Sequence, residues 1–194
     1  MPRWFSTRTS SAIAINPANI GAAKLVPKAK VFALLVDPTD AAIAETNTRD
    51  TQAAASKLGL ELHVLNATTE REFDGVFAKL AQLRAGGLVI GDSAYFFVQS
   101  RQLAELALRH AVPAVFVSRE FVAAGGLMGY GGSLSDSYRL TGVYTARILK
   151  GDKPADLPVL QATKVEFYVN LTTAKALGLN VPNTLIGRAD EVIE

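Results

Sequence analysis

From about residue 21 onward, short apolar runs alternate with longer stretches in which apolar residues recur every three or four positions. Residues 30–37 (KVFALLVD) form an apolar run bounded by polar residues, the signature of a strand buried on both faces of a parallel sheet. Asp37-Pro38-Thr39-Asp40 break the run and offer N-cap side chains, which predicts a helix reaching about Leu58 with Gly59 at its C′ position. The middle of that helix, Thr46-Asn47-Thr48, has low helix propensity. Residues 60–65 (LELHVL) read as a second strand. Thr69 and Glu72 have capping-box spacing, and Phe73, Val76, Phe77, Leu80 and Leu83 mark one face of the helix that follows. Residues 87–91 (GLVIG) predict a third strand, with a helix over 98–110 behind it. Residues 113–117 (PAVFV) predict a fourth strand, 118–124 a short helix ended by Gly125-Gly126, and 127–130 a fifth strand. A longer helix is predicted over 135–150, an alternating strand over 164–170 (KVEFYVN), and a last helical turn or two over 172–177. Residues 1–20 carry no period and read as an irregular lead-in to a single unit over 21–194.

Four successive β-then-α units predict the α/β class, with a parallel sheet flanked by helices and right-handed crossovers. In open sheets of this class, ligands bind beyond the carboxyl ends of the strands. The candidate residues therefore sit directly after each run. Asp92 and Ser93 follow the third strand, where a carboxylate and a hydroxyl take either the ammonium group and carboxylate of a ligand or the N-terminus of the next helix. Tyr95 and Phe96 come next, in a predicted loop, and need cover from a ligand cleft, a partner surface or the core. Arg119 follows the fourth strand, where its planar guanidinium either clamps a carboxylate or pairs with Glu120 at the start of a helix. The glycine-rich stretch 125–133, which includes Tyr130, Gly131 and Ser133, lacks both GxGxxG in a strand–helix context and Gly-Lys-Ser/Thr, so it reads as a hinge rather than a phosphate loop.

Composition narrows the chemistry. The 194 residues contain no cysteine, which removes disulfides, zinc–thiolate sites, iron–sulfur clusters and cysteine nucleophiles. Of the two histidines, His63 alternates inside a strand and His110 ends a helix, so no base–nucleophile pair is visible and an enzyme is not expected. No cofactor or metal is expected. Twenty basic against eighteen acidic residues give a net charge of +2, too small to call for nucleic acid. The apolar run over 31–36 is far shorter than the about 20 residues of a membrane span. The stretch after Arg3 and Arg8 is shorter than the roughly 7–15 residues of a signal-peptide core, so the sequence as written reads as cytoplasmic.

Residues 25–38 (LVPKAKVFALLVDP), 85–91 (AGGLVIG), 109–113 (RHAVP), 119–130 (REFVAAGGLMGY), 149–158 (LKGDKPADLP) and 174–194 together resemble the substrate-binding proteins of ABC transporters. More narrowly they resemble the periplasmic components related to tryptophan and tyrosine binders. The resemblance covers about residues 21–194. It implies one Rossmann-like lobe of a type I periplasmic-binding-protein fold, in which two lobes close over a small solute at a hinge. It also implies a periplasmic location and a membrane permease as partner. It places Asp92 and Ser93 in the loop facing the cleft, and Tyr130, Gly131 and Ser133 at the hinge side. Where related aromatic-amino-acid binders often carry an acidic residue, this chain has Ser133. Family members usually carry a complete first lobe before the segment matching Leu25, so the resemblance implies that this chain carries the second lobe. The helix over 135–150 then lacks its natural cover, and Leu134, Tyr138, Ile148 and Leu149 predict a homo-oligomer. Two readings of function follow. One is a solute-binding component of ABC import, taking a small solute such as an amino acid through non-covalent contacts. The other is a truncated remnant that self-associates without transport. A flavodoxin-like enzyme or signalling domain is disfavoured, because Asp37 alone does not make a receiver's acidic cluster.

Overall fold

The computed structural model describes residues 25–159 and 164–194. The predicted lead-in over 1–20 lies outside the described residues. The first strand, β1 (Val31–Val36), occupies the sheet interior because almost every side chain on it is apolar; Ala33, Leu34 and Leu35 are fully excluded from solvent. Helix α1 (Ala41–Leu58) starts at Asp40, whose side chain accepts from the Ile43 N–H at 3.1 Å. It ends at Gly59, in the left-handed conformation at φ 66°, which a glycine adopts without a Cβ penalty. Strand β2 (Glu61–Asn66) and helix α2 (Glu70–Leu83) follow. At the start of α2, Glu72 accepts from the backbone N–H of Thr68 and of Thr69, and these bonds hold its carboxyl below the usual carboxylate range. The buried face of α2 is Phe73, Val76, Phe77 and Leu80.

Strand β3 (Leu88–Ile90) leads into helix α3 (Ala94–Val98) and, after one break at Gln99, helix α4 (Ser100–Arg109). The expectation of a loop over Tyr95 and Phe96 is corrected here: Ser93 accepts from the Tyr95 N–H and starts the helix earlier than the apolar period suggests. Strand β4 (Ala114–Phe116), helix α5 (Arg119–Ala123), strand β5 (Met128–Gly132) and helix α6 (Leu134–Leu149) come next. After a single 3₁₀ turn the chain returns as strand β6 (Val165–Asn170), then helices α7 (Leu171–Ala176) and α8 (Asn183–Ile186) and strand β7 (Glu191–Ile193).

The strands form one seven-stranded sheet in the order β2-β1-β3-β4-β5-β6-β7. Every pairing is parallel except β5 with β6, which run antiparallel from Met128↔Val169 to Gly132↔Val165. The reversal follows from the connection. The chain leaves β5 at Gly132, makes α6, and re-enters at Val165 beside the point of departure. Side chains alternate across the sheet. Ala114 and Phe116 of β4 join a cluster with Phe73, Phe96 and Phe121, while Val115 joins Leu127, Phe167 and Val169 on the opposite side. No helix of the described residues is long and apolar enough to cross a membrane.

Helix α6 differs from the others, because none of its residues is buried. Tyr138 is 73% and Leu149 83% exposed. Three of its hydroxyls bond back to its own carbonyls, Ser137 to Ser133, Thr141 to Ser137 and Thr145 to Thr141, each at 2.9 Å. Tyr144 ties the helix to the segment that follows it by donating to the Pro158 carbonyl at 2.6 Å.

These environments separate two aromatic truncations. Phe73→Ala removes a fully buried ring and is expected to cost about 3–5 kcal/mol of unfolding free energy. Tyr138→Ala is expected to change it by less than about 0.5 kcal/mol. Urea titration of both variants measures the difference.

Candidate functional site

The carboxyl edge of the sheet opens into a cavity of about 780 Å³. Its floor comes from the segments leaving β3, β4 and β5: Asp92, then Val117 through Glu120, then Gly131 and Gly132. Phe97 of α3 and Leu134 at the start of α6 add apolar surface. The far wall is polar. Lys164, Glu166 and Tyr168 stand along one face of β6, with Asp190 and Glu191 at the start of β7.

Two glycines let the backbone close up around this edge. A Cβ on Gly131 would stand 2.5 Å from the Val117 carbonyl oxygen, so no side chain fits where β5 passes the end of β4. A Cβ on Gly91 would meet the Leu35 carbonyl at 2.8 Å and Asn47 Nδ2 at 3.0 Å. That approach brings Asn47 of α1 within 3.1 Å of the Asp92 carbonyl, to which it donates. The buried Asn47 is the residue whose propensity weakens the middle of α1, and this long-range bond gives it its place there.

Asp92 therefore has a fixed backbone, yet among the described residues no hydrogen bond or ion pair reaches its carboxylate. Burial pushes its carboxyl above the usual range. The other charges on the cavity are engaged. Arg119 donates through Nε to Glu191 Oε2 at 2.7 Å and through Nη2 to Oε1 at 2.5 Å, a two-pronged pair that raises its own pKa further. Of the alternatives open for Arg119, the pair with Glu120 does not form: Glu120 accepts from Ser118 at 2.8 Å. Lys164 bridges to Glu166 Oε1 at 2.7 Å, and the Tyr168 hydroxyl donates to Glu166 Oε2. Lys164 and Tyr168 together hold Glu166 below its usual pKa, while burial and Glu166 keep the Tyr168 phenol protonated.

The family of ABC transporter substrate binding proteins matches residues 18–193. The chain belongs to this family. Solved structures agree on the fold. A conserved domain protein from Vibrio cholerae matches with a TM-score of 0.79 at 19% identity, over 92% of this chain and 60% of its own. An ABC domain in complex with L-Trp from Streptococcus pneumonia matches at 0.78 and 22%, over 92% and 62%. The ligand-free, open form of a substrate binding protein with adhesive properties from Clostridium difficile matches at 0.65 and 20%, over 91% and 59%. The chain thus spans about three-fifths of the length of these structures. Its mostly parallel sheet and flanking helices are those of type I periplasmic binding proteins. No curated protein matches the sequence.

Within this chain the residues singled out from sequence divide. Asp92, Arg119 and Gly131 line the cavity. Ser93 does not: its hydroxyl accepts from the Tyr95 N–H at 3.1 Å and donates to Asp37 Oδ2 at 2.8 Å, which is a capping role. Phe96 is fully buried, and Tyr95 packs on it and on Phe73 at ring-centre distances of 5.9 and 6.0 Å. The aromatic that reaches the cavity is the next residue, Phe97. Tyr130 alternates away from Gly131 and packs beside Phe167 at 6.3 Å. Ser133 is buried and caps α6 by accepting from the Asp136 N–H at 3.2 Å. The β6 residues were visible in principle, because Lys164, Glu166 and Tyr168 form the polar half of an alternating strand. Glu191 left no signal, since β7 is three residues long.

A half-buried carboxylate without a partner costs stability when ionised. Its raised pKa means that the fold binds its proton more tightly than the unfolded chain does. The penalty is therefore full above the raised value and is relieved as pH falls through it. Asp92→Asn is expected to melt above the parent protein at pH 7, with a gap that narrows as the pH is lowered towards about 4. Thermal melts of both proteins across that range measure it.

Proposed function

We propose that the chain binds a small solute in the cavity at the carboxyl edge of its sheet, as the solute-binding part of an ABC import system. The observation that carries this reading is the cavity itself. It is concave, has a volume of about 780 Å³ within the common range for small-molecule sites, and combines apolar surface from Phe97, Val117 and Leu134 with a few fixed polar groups. Membership of a substrate-binding family supports the reading. So does the L-Trp bound to one structure of the same fold, which makes an amino acid or a relative of one the first solute to try. In this reading the protein works outside the cytoplasm and passes its solute to a membrane permease. Binding needs no covalent step. Ligand that binds only the folded chain raises its melting temperature by mass action. A thermal-shift panel of aromatic and branched amino acids and their amines at millimolar concentration is expected to give saturable stabilisation with at least one member, and a flat panel overturns the reading.

Helix α6 favours a second, compatible reading, self-association. Its Tyr138, Val143, Ile148 and Leu149 are apolar side chains that the other described residues leave exposed. In this reading two copies bury these faces against each other. Sedimentation velocity is expected to show a dimer or larger species that Tyr138→Lys combined with Leu149→Lys converts to monomer. A parent protein that sediments as a monomer at micromolar concentration refutes self-association and leaves solute binding standing.

A further inference from the structure

We infer that the cavity selects a solute bearing a cationic nitrogen, an organic amine or amidinium, and that the Asp92 carboxylate is the group that holds it. The inference rests on the reading of this cavity as the solute site. Its first support is the balance of charge on the walls. Five carboxylates, those of Asp92, Glu120, Glu166, Asp190 and Glu191, face two cations, Arg119 and Lys164.

The second support is how those charges are used. Both cations are taken: Arg119 by Glu191 through two hydrogen bonds, and Lys164 by Glu166 at 2.7 Å. The carboxylates other than Asp92 each accept at least one hydrogen bond from the protein. Glu120 accepts from Ser118, and Asp190 accepts from the Phe167 N–H at 2.8 Å. Asp92 alone, among the described lining residues, presents a carboxylate with no internal partner. Its backbone is nonetheless fixed from two sides, by Asn47 and by the close passage of Gly91 over Leu35. A charge held in place, half-buried and unpaired is stabilised by an opposite charge brought in by the solute.

An anionic solute would meet two cations already neutralised by Glu191 and Glu166, on walls where carboxylates outnumber cations five to two. A zwitterionic amino acid satisfies Asp92 with its ammonium but brings a carboxylate into walls on which both cations are already charge-paired. A metal ion fits less well, because among the described residues no three acidic or histidine side chains converge on one point. Phe97 and Tyr168 add aromatic surface on the same walls, and aromatic faces favour a cation over an anion.

Three solutes that share one ring system and differ in charge test the inference: tryptamine, L-tryptophan and indole-3-propionate. Isothermal titration of each into the purified chain is expected to rank tryptamine first and indole-3-propionate last, with at least about a tenfold gap between them. Asp92→Asn is expected to weaken tryptamine about ten- to a hundredfold and to leave indole-3-propionate no weaker. Far-UV circular dichroism checks that the variant is folded. If indole-3-propionate binds as tightly as tryptamine, or if Asp92→Asn leaves tryptamine unchanged, the amine inference fails while solute binding stands. If none of the three binds saturably, the reading of the cavity as a solute site fails, and the inference with it.

Discussion

The antiparallel pairing of β5 with β6 is the constraint on which the site depends. Strands β1 to β5 alone would end in an open edge of backbone groups and a shallow row of loops. Because β6 returns beside β5, with Val165 opposite Gly132 and Ser133 N–H donating to the Lys164 carbonyl at 2.9 Å, its polar face stands over the carboxyl ends of β4 and β5. Strand β7 then pairs with β6 and carries Glu191 to Arg119. The row of loops becomes a walled cavity. Asn170 locks the far end of the return: its Nδ2 donates to the Val122 carbonyl at 3.0 Å, and its Oδ1 accepts from the Thr173 N–H to start α7.

Backbone closeness does the remaining positioning. Where β5 passes the end of β4 there is no room for a Cβ on Gly131, and where β3 ends beside β1 there is none on Gly91. Both glycines were noticeable in the sequence, one in a glycine-rich stretch and one at the end of an apolar run. Their role there is steric approach more than torsional freedom, since neither has a positive φ. The polar groups beside them follow the same economy. Asn47, Ser93, Ser118 and Ser133 are all buried, and each has a hydrogen-bond partner on the backbone or on a neighbouring side chain.

Local signals were legible and non-local ones were not. The helix over Glu70–Leu83 could be read from its apolar face and its capping residues, because both lie within one helix and the turn before it. β1 could be read from its unbroken apolar run. The reversed direction of β6 could not, because an alternating strand looks the same in either direction. Nor could the choice among three adjacent aromatics. Tyr95, Phe96 and Phe97 lie on one helix about 100° apart in turn, and only the neighbouring Phe73 and Phe116 decide that Phe96 is buried while Phe97 reaches the cavity. The Arg119–Glu191 pair spans 72 residues and joins a helix N-terminus to a three-residue strand, so no window of sequence contains it. Asp92 was legible as a candidate. That its carboxylate lacks a partner emerges only when every other charge on the wall has been assigned.

Helix α6 has a consequence for how the molecule comes apart. Elements whose side chains join the two clusters can open only when those clusters open, so their backbone amides share the stability of the whole fold. The 16 residues of α6 share none of that protection, since no side chain along it is buried and its anchors are a serine cap at one end and a tyrosine bond to the segment beyond. A helix of that length standing alone in water is marginal. In a single chain it is therefore expected to open as a separate, weak unit while the sheet stays intact. Proteolytic nicking would begin there, and the amides of β1 and β3 would stay protected long after those of α6 had exchanged.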